Sequence, residues 1–167
     1  KYTKKLQDQG YTIVVYKQDI QGKNGTRSLS EIISPGTYFS QESNELSNNT
    51  MCIWLHKSNA TKYSTSQMTI GISNIDIFTG KTSLFQYSIE YQHSPSTYDE
   101  LERYIAVYKP CECLILANIS DHLIKEIIGF IGLECKKIHK VLLENDTTAI
   151  TPITKERDML KYAKNAE

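Results

Sequence analysis

Between Thr50 and Tyr91 three strand-like runs with few breakers, Met51 to His56, Gln67 to Phe78 and Lys81 to Tyr91, predict three strands. A period of two is what a pleated strand with one buried face requires. Phe85, Tyr87, Ile89 and Tyr91 show it most cleanly. Thr79-Gly80 lies between the second and third runs and suits a hairpin turn, because Gly takes positive φ without a steric penalty. From Thr97 the period lengthens. Leu101, Tyr104, Ile105 and Tyr108 recur at helical spacing until Pro110, behind Thr97-Tyr98-Asp99-Glu100, which has the residue types of a capping box. A buried strand follows from Cys111 to Ala117. Ser120-Asp121 then caps a predicted helix with Leu123, Ile124, Ile127, Ile128 and Ile131 on one face, and Lys136 to Leu143 is a weaker strand. Strands first, then α-β-α-β, predicts a mixed α/β sheet covered by helices.

The flanks read differently. Tyr2 to Gln9 has the pattern of the last turns of a helix, stopped by Gly10. Tyr11 to Tyr16 and Arg27 to Ser34 are predicted strands on either side of a polar turn, Asp19 to Gly25, and Pro35-Gly36 suits a tight turn after them. This opening unit is too short to hold a core of its own. Tyr38 to Asn49 and Glu144 to Ile153 read as linkers, and Thr154 onward begins an amphipathic helix carrying Met159, Leu160 and Ala163.

Composition narrows the function classes. The 167 residues suffice for one domain with a real core, and there is no apolar run of membrane-spanning length. Because the chain opens on Lys1 rather than Met, it is expected to be a piece of a longer protein. Nineteen basic residues balance 19 acidic ones, whereas a self-sufficient nucleic-acid binder carries a basic excess, so DNA affinity in isolation is expected to be weak. Twenty Ile against six Ala points to coding bias in an AT-rich genome. Four cysteines do not make a disulfide framework at this length; reduced thiols and an intracellular setting are the simpler expectation. Five Asn-x-Ser/Thr sequons (Asn24, Asn48, Asn59, Asn118 and Asn145) pull toward a secreted or luminal binding module, a rival that free thiols would exclude.

Candidate chemistry is sparse. Three antiparallel strands followed by alternating helices and strands is the order of the RNase H-like fold, whose nucleases gather several carboxylates around two divalent ions. Asp76 ends a strand where one such ligand would stand. Asn118, however, closes the Cys111 to Ala117 strand where an acid is wanted, and Asp121 fits better as a helix cap. Ordering of its own turn is therefore the preferred role for Asp76, and a stand-alone nuclease is the rival. Cys111, Cys113, Cys135 and His139 have the ligand types of a zinc site, but the two strand cysteines behave as core residues. His56, His93 and His122 are expected in solvent. The absence of a Gly-x-x-x-x-Gly-Lys loop excludes P-loop nucleotide binding by this piece. The local basic groups around Lys136 and in the tail are balanced by acids.

Two separated stretches carry a family resemblance. Gly10-Tyr-Thr-Ile-Val-Val-Tyr-Lys-Gln18 running on to Ile32-Ile-Ser-Pro-Gly-Thr37, and Ile70-Gly-Ile-Ser-Asn-Ile-Asp-Ile-Phe-Thr-Gly-Lys81, together resemble MutS, the mismatch-recognition ATPase of DNA repair. The resemblance implies that residues 1–37 end the mismatch-recognition domain, 38–49 form a linker, 50–143 are the RNase H-like connector domain, and 144–167 lead into the next, helical domain. It implies no catalytic, metal or cofactor residue in this piece, with ATP and Mg handled elsewhere in the parent protein. Mismatched double-stranded DNA, a MutL-like protein and the other MutS domains are its implied partners. Arg27 aligns with an Arg that touches the DNA backbone in the family; an exposed Arg on a turn is the equal alternative. The chain departs from the family at Lys17, where Glu is usual, at Glu31, where Arg is frequent, and at Phe78-Thr79-Gly80-Lys81, which replaces Ser-Thr-Gly-Glu.

Overall fold

A computed structural model of the chain describes residues 2–18, 26–37 and 47–143. The turn from Asp19 to Gly25, most of the linker from Tyr38, and everything predicted from Glu144 onward lie outside the described residues.

The architecture is mixed α/β. A helix α1 (Tyr2–Asp8) leads into an antiparallel pair, β1 (Ile13–Gln18) and β2 (Arg27–Ile33). A five-stranded sheet follows, built from β3 (Asn49–Lys57), β4 (Gln67–Asp76), β5 (Thr82–Glu90), β6 (Glu112–Ala117) and β7 (Lys137–Leu142) in the order β5-β4-β3-β6-β7. Strands β3, β4 and β5 pair antiparallel, and β6 and β7 are parallel to β3. This is the RNase H-like order expected from the sequence. The helices α2 (Asp99–Tyr108) and α3 (Asp121–Phe130) link β5 to β6 and β6 to β7.

One face of the sheet is the core. Met51, Ile53 and Leu55 of β3 stand level with Asn74, Ile72 and Ile70 of β4 and with Cys113, Ile115 and Ala117 of β6, so all nine point the same way. Leu101 and Ile105 of α2 and Ile124 and Ile127 of α3 close over them, which puts both helices on that face. Among the described residues no helix covers the other face, where Trp54 stacks on His56 with ring centroids 5.4 Å apart. None of the described helices is long and apolar enough to cross a membrane.

The local signals fared unevenly. Gly10 ends α1 at φ +80°, with its N–H on the Gln7 carbonyl and that of Tyr11 on the Leu6 carbonyl, the paired bonds of a Schellman cap. At Thr79-Gly80 the predicted turn forms, Gly80 N–H reaching the Asp76 carbonyl at 2.8 Å. The capping box at Thr97 does not. Pro95–Tyr98 is instead a 3-10 turn, Thr97 gives its hydroxyl to the Gln92 carbonyl, and α2 begins at Asp99 without a side-chain cap. Pro95, which takes up the first turn, is what moved the start. For α3 the cap is Ser120, which accepts from the Leu123 N–H, whereas Asp121 sits one residue inside and binds Lys125 and Lys140.

Candidate functional site

The densest buried polar cluster joins the opening unit to the sheet, and the two stretches that carry the family resemblance meet in it. It begins with the turn after β2. Ser34 accepts from the Thr37 N–H and its own N–H donates to the Thr37 hydroxyl, which holds Pro35 and Gly36 buried at the tip. This tip rests on Glu112, the first residue of β6. One oxygen of the Glu112 carboxylate accepts from the Ser34 hydroxyl at 2.6 Å and the Gly36 N–H at 2.7 Å; the other accepts from His139 Nε2 at 2.6 Å. Burial pushes this carboxyl up, but the bonds from Ser34, His139 and Gly36 outweigh it and hold it below the usual glutamate range. Glu112 is therefore a buried carboxylate whose two oxygens are both satisfied by hydrogen bonds.

Asn48 is the second pivot. Its side-chain amide donates to the Pro35 and Gly36 carbonyls, while its backbone N–H donates to Asp76 Oδ1 at 3.0 Å and its carbonyl accepts from the Ile77 N–H. Asp76 in turn receives the Thr79 hydroxyl at 2.7 Å and the Phe78 N–H at 3.1 Å. Thr79 foremost, then Asn48, keep the Asp76 carboxyl below the usual aspartate range. Ser34-Pro35-Gly36-Thr37 and Asp76-Ile77-Phe78-Thr79-Gly80 are thus bonded to one residue between them. Thr50 adds a hydroxyl bond to the Gly36 carbonyl at 3.0 Å, and Cys111 Sγ donates to the Pro35 carbonyl.

Contact between the two units extends past the pivots, where Lys136 Nζ meets Asp8 Oδ1 at 3.1 Å. Within the opening unit Gln7 of α1, buried, donates to the Ser34 carbonyl. A Cβ on Gly36 would stand 2.4 Å from Thr50 Oγ1 and 2.6 Å from Glu112 Oε2, so only glycine lets the turn sit this deep.

The chemistry available is that of a clamp. Ser34, Glu112 and His139 include the members of a hydrolytic triad, but the carboxylate lies between hydroxyl and imidazole, so the imidazole is not placed to take the serine proton. Asp76 spends its oxygens on its own turn and on Asn48, the turn-ordering role preferred from sequence. Among the described residues no group of three or more His, Cys, Asp or Glu side chains could hold a metal ion. The zinc ligand set is taken apart by the pleat: Cys113 stands level with Met51 on the core face, His139 level with Leu114 on the other.

Other candidates fall outside the joint. Arg27 opens β2 opposite Gln18, exposed, at the end of the hairpin away from Ser34, and the seven residues of the strand from Arg27 to Ile33 set the two ends roughly 20 Å apart. Asn118 clamps the end of β3, accepting from the Lys57 N–H and donating to the Lys57 carbonyl. His93 and His122 are exposed and approach Glu126 at 3.9 and 3.6 Å. Two sequon residues, Asn48 and Asn118, already commit their amides to internal bonds.

No family model matches the chain. It is 28% identical over 135 residues to the putative DNA mismatch repair protein mutS homolog L359 of Acanthamoeba polyphaga mimivirus. This likeness supports a MutS-like relation. The match covers 79% of this chain and only 12% of that protein. In structure the chain is similar to one in the cryoEM structure of the simian T-cell lymphotropic virus intasome in complex with PP2A regulatory subunit B56 gamma. There the identity is 14%, the TM-score 0.27, and the cover 66% of this chain and 38% of that one, which supports nothing further.

Glu112 and Gln7 were not singled out from the sequence, and Asn48 only as a sequon. Glu112 did leave a signal: it is the lone charge in Cys-Glu-Cys-Leu-Ile-Leu-Ala, and a charge on a buried strand demands partners. Gln7 left none, and the sequon at Asn48 does not point to the joint, because their partners are distant in sequence and supplied by the fold.

Proposed function

We propose that this chain is a noncatalytic piece of a MutS-like DNA mismatch repair protein, comprising the end of the mismatch-recognition domain and the connector domain. Its role is to carry movement between the DNA-binding and ATPase parts and to dock a repair partner of the MutL kind. ATP and Mg are bound elsewhere in that parent, and mismatched duplex DNA is the parent's ligand. The observation that carries this is the joint. A relay needs its input segment fixed to the body that moves, and here a hairpin is held to the sheet by a buried carboxylate and a shared asparagine. The likeness to the mimivirus protein supports the same direction.

The test belongs in the parent protein. Glu112→Gln and Gly36→Val should leave mismatch-DNA affinity and basal ATP hydrolysis near their normal levels while cutting the effect of each ligand on the other by about fivefold or more. Unaltered coupling in both variants would sink the relay. Arg27→Ala should weaken binding alike on matched and mismatched duplex and lower the salt slope by about one, the signature of one lost phosphate contact.

A further inference from the structure

Among the described residues, β5 has a strand partner on one side only, and its free edge lacks the usual protection. Edge strands are ordinarily blunted by charges, Pro or bulges, because a row of free N–H and C=O groups is a template for another chain. The opposite edge, β7, carries Lys137, His139 and Lys140. By contrast β5 reads Thr-Ser-Leu-Phe-Gln-Tyr-Ser-Ile-Glu, nine residues without Lys, Arg or Pro, paired to β4 from Thr82 to Glu90 without a break in register. Leu84 on this edge strand is 84% exposed on the face away from the helices, and Phe85 and Ile89 are exposed on the helix face.

The surroundings say what fits. On the helix side Tyr104 of α2 stacks on Phe85 and hydrogen-bonds Ser83, which sets the first turn of α2 beside Tyr87. That turn holds Asp99, Glu100 and Glu102. Burial, joined by the charges of Glu100 and Asp99, pushes the Tyr87 phenol up to about 12. Arg103 offsets one of these acids through its 2.7 Å pair with Glu100, Lys81 precedes the strand and Lys57 Nζ lies over the Tyr91 ring past its end, so the negative charge is local to the first turn of α2 beside Tyr87. A second copy of this chain pairing antiparallel about Gln86 would bring two such acidic turns together. The charge therefore selects a different occupant.

We propose that β5 is a docking edge for an extended segment of a partner protein, which adds to the sheet as a sixth strand and carries basic residues flanking an alternating apolar core. Main-chain bonds to residues 82–90 supply affinity, Leu84, Phe85 and Ile89 supply side-chain contact, and the carboxylates of α2 select charge. This deepens the docking half of the function proposed above and is separable from the relay half.

The probe is the peptide Lys-Thr-Ile-Thr-Val-Thr-Ile-Lys, labelled and titrated with the chain, beside the same peptide with Glu at both ends and one with Pro at the centre. The basic peptide should bind, with new amide protection over residues 82–90. Leu84→Lys, at a site open enough to leave the fold intact, should weaken it by at least about tenfold, and Glu100→Gln should reduce its salt dependence. Equal binding of the acidic or Pro peptide, protection elsewhere, or no binding up to about 1 mM would overturn the proposal. So would a dimer that Leu84→Lys abolishes, since that would give the edge to a second copy. Intact coupling in the joint variants would end the relay and leave peptide binding as it is; loss of peptide binding would leave the joint as it is.

Discussion

Lys17 and Glu31, two of the departures from the MutS pattern, meet diagonally across the β1–β2 pair, with Lys17 Nζ 4.0 Å from Glu31 Oε1, while their strand partners are Ser28 and Val15. The family pattern places Glu and Arg there, so the two changes amount to one ion pair with its signs reversed. Both side chains are more than half exposed, and the pair contributes little stability. Gly36 is the opposite case. A Gly36→Ala change forces Thr50 or Glu112 to move, and a cost of about 1–3 kcal/mol is expected, measured by urea unfolding. Glu112 and Asp76 set the acid response. Both carboxyls are held below their unfolded values of about 4.3 and 3.9, so each contributes stability that is complete above those values. That contribution is lost as pH falls through the lower folded values. Unfolding followed from pH 6 downward should show stability dropping below about pH 4, and Glu112→Gln should make the drop shallower; an unchanged slope would remove Glu112 from the account.

At the level of elements, the patterns that were legible were those governed by period. Alternation along β4, the apolar run of β3 and the helical spacing of Ile124 and Ile127 located the sheet and its cover, because burial of one face is written into every second or third residue; β5 alternates too, yet Phe85 and Ile89 of its apolar set are exposed. Signals resting on two or three residues were less secure. Thr97 and Glu100 had the types of a capping box, yet Pro95 turned the chain into a 3-10 turn first. The joint was invisible for another reason: its bonds link groups distant in sequence, many of them side chain to backbone, and no local pattern encodes them. Ser120→Ala should cost about 1 kcal/mol through loss of its cap on α3. Ile115→Ala, in the centre of β6, should cost about 2–5 kcal/mol by opening a cavity under both helices. Thermal or urea unfolding separates the two magnitudes.

For the whole molecule, the question of setting turns on the thiols. No disulfide joins any of the four cysteines, and burial pushes Cys52, Cys113 and Cys135 up, Cys135 to about 11. Titration in guanidinium without reductant should give four thiols; in the native state at pH 8 these three should react slowly, since little thiolate is present. Two disulfides would favour the secreted module over the MutS-like relation. The net charge of zero belongs to this scale as well, and it favours weak, salt-sensitive DNA binding by the chain alone.

The carboxylate that receives the Gly36 N–H lies 76 residues further along the chain, on a strand that must first pair with β3. Closing a loop of that length brings no return until the sheet exists to receive it, so the hairpin is expected to dock last in folding and to part first under stress. The Gly36 amide then reports a sub-global opening of its own. Its hydrogen exchange should be faster than that of amides at the centre of β3 and β6, and Glu112→Gln should speed it further while leaving those central amides slow.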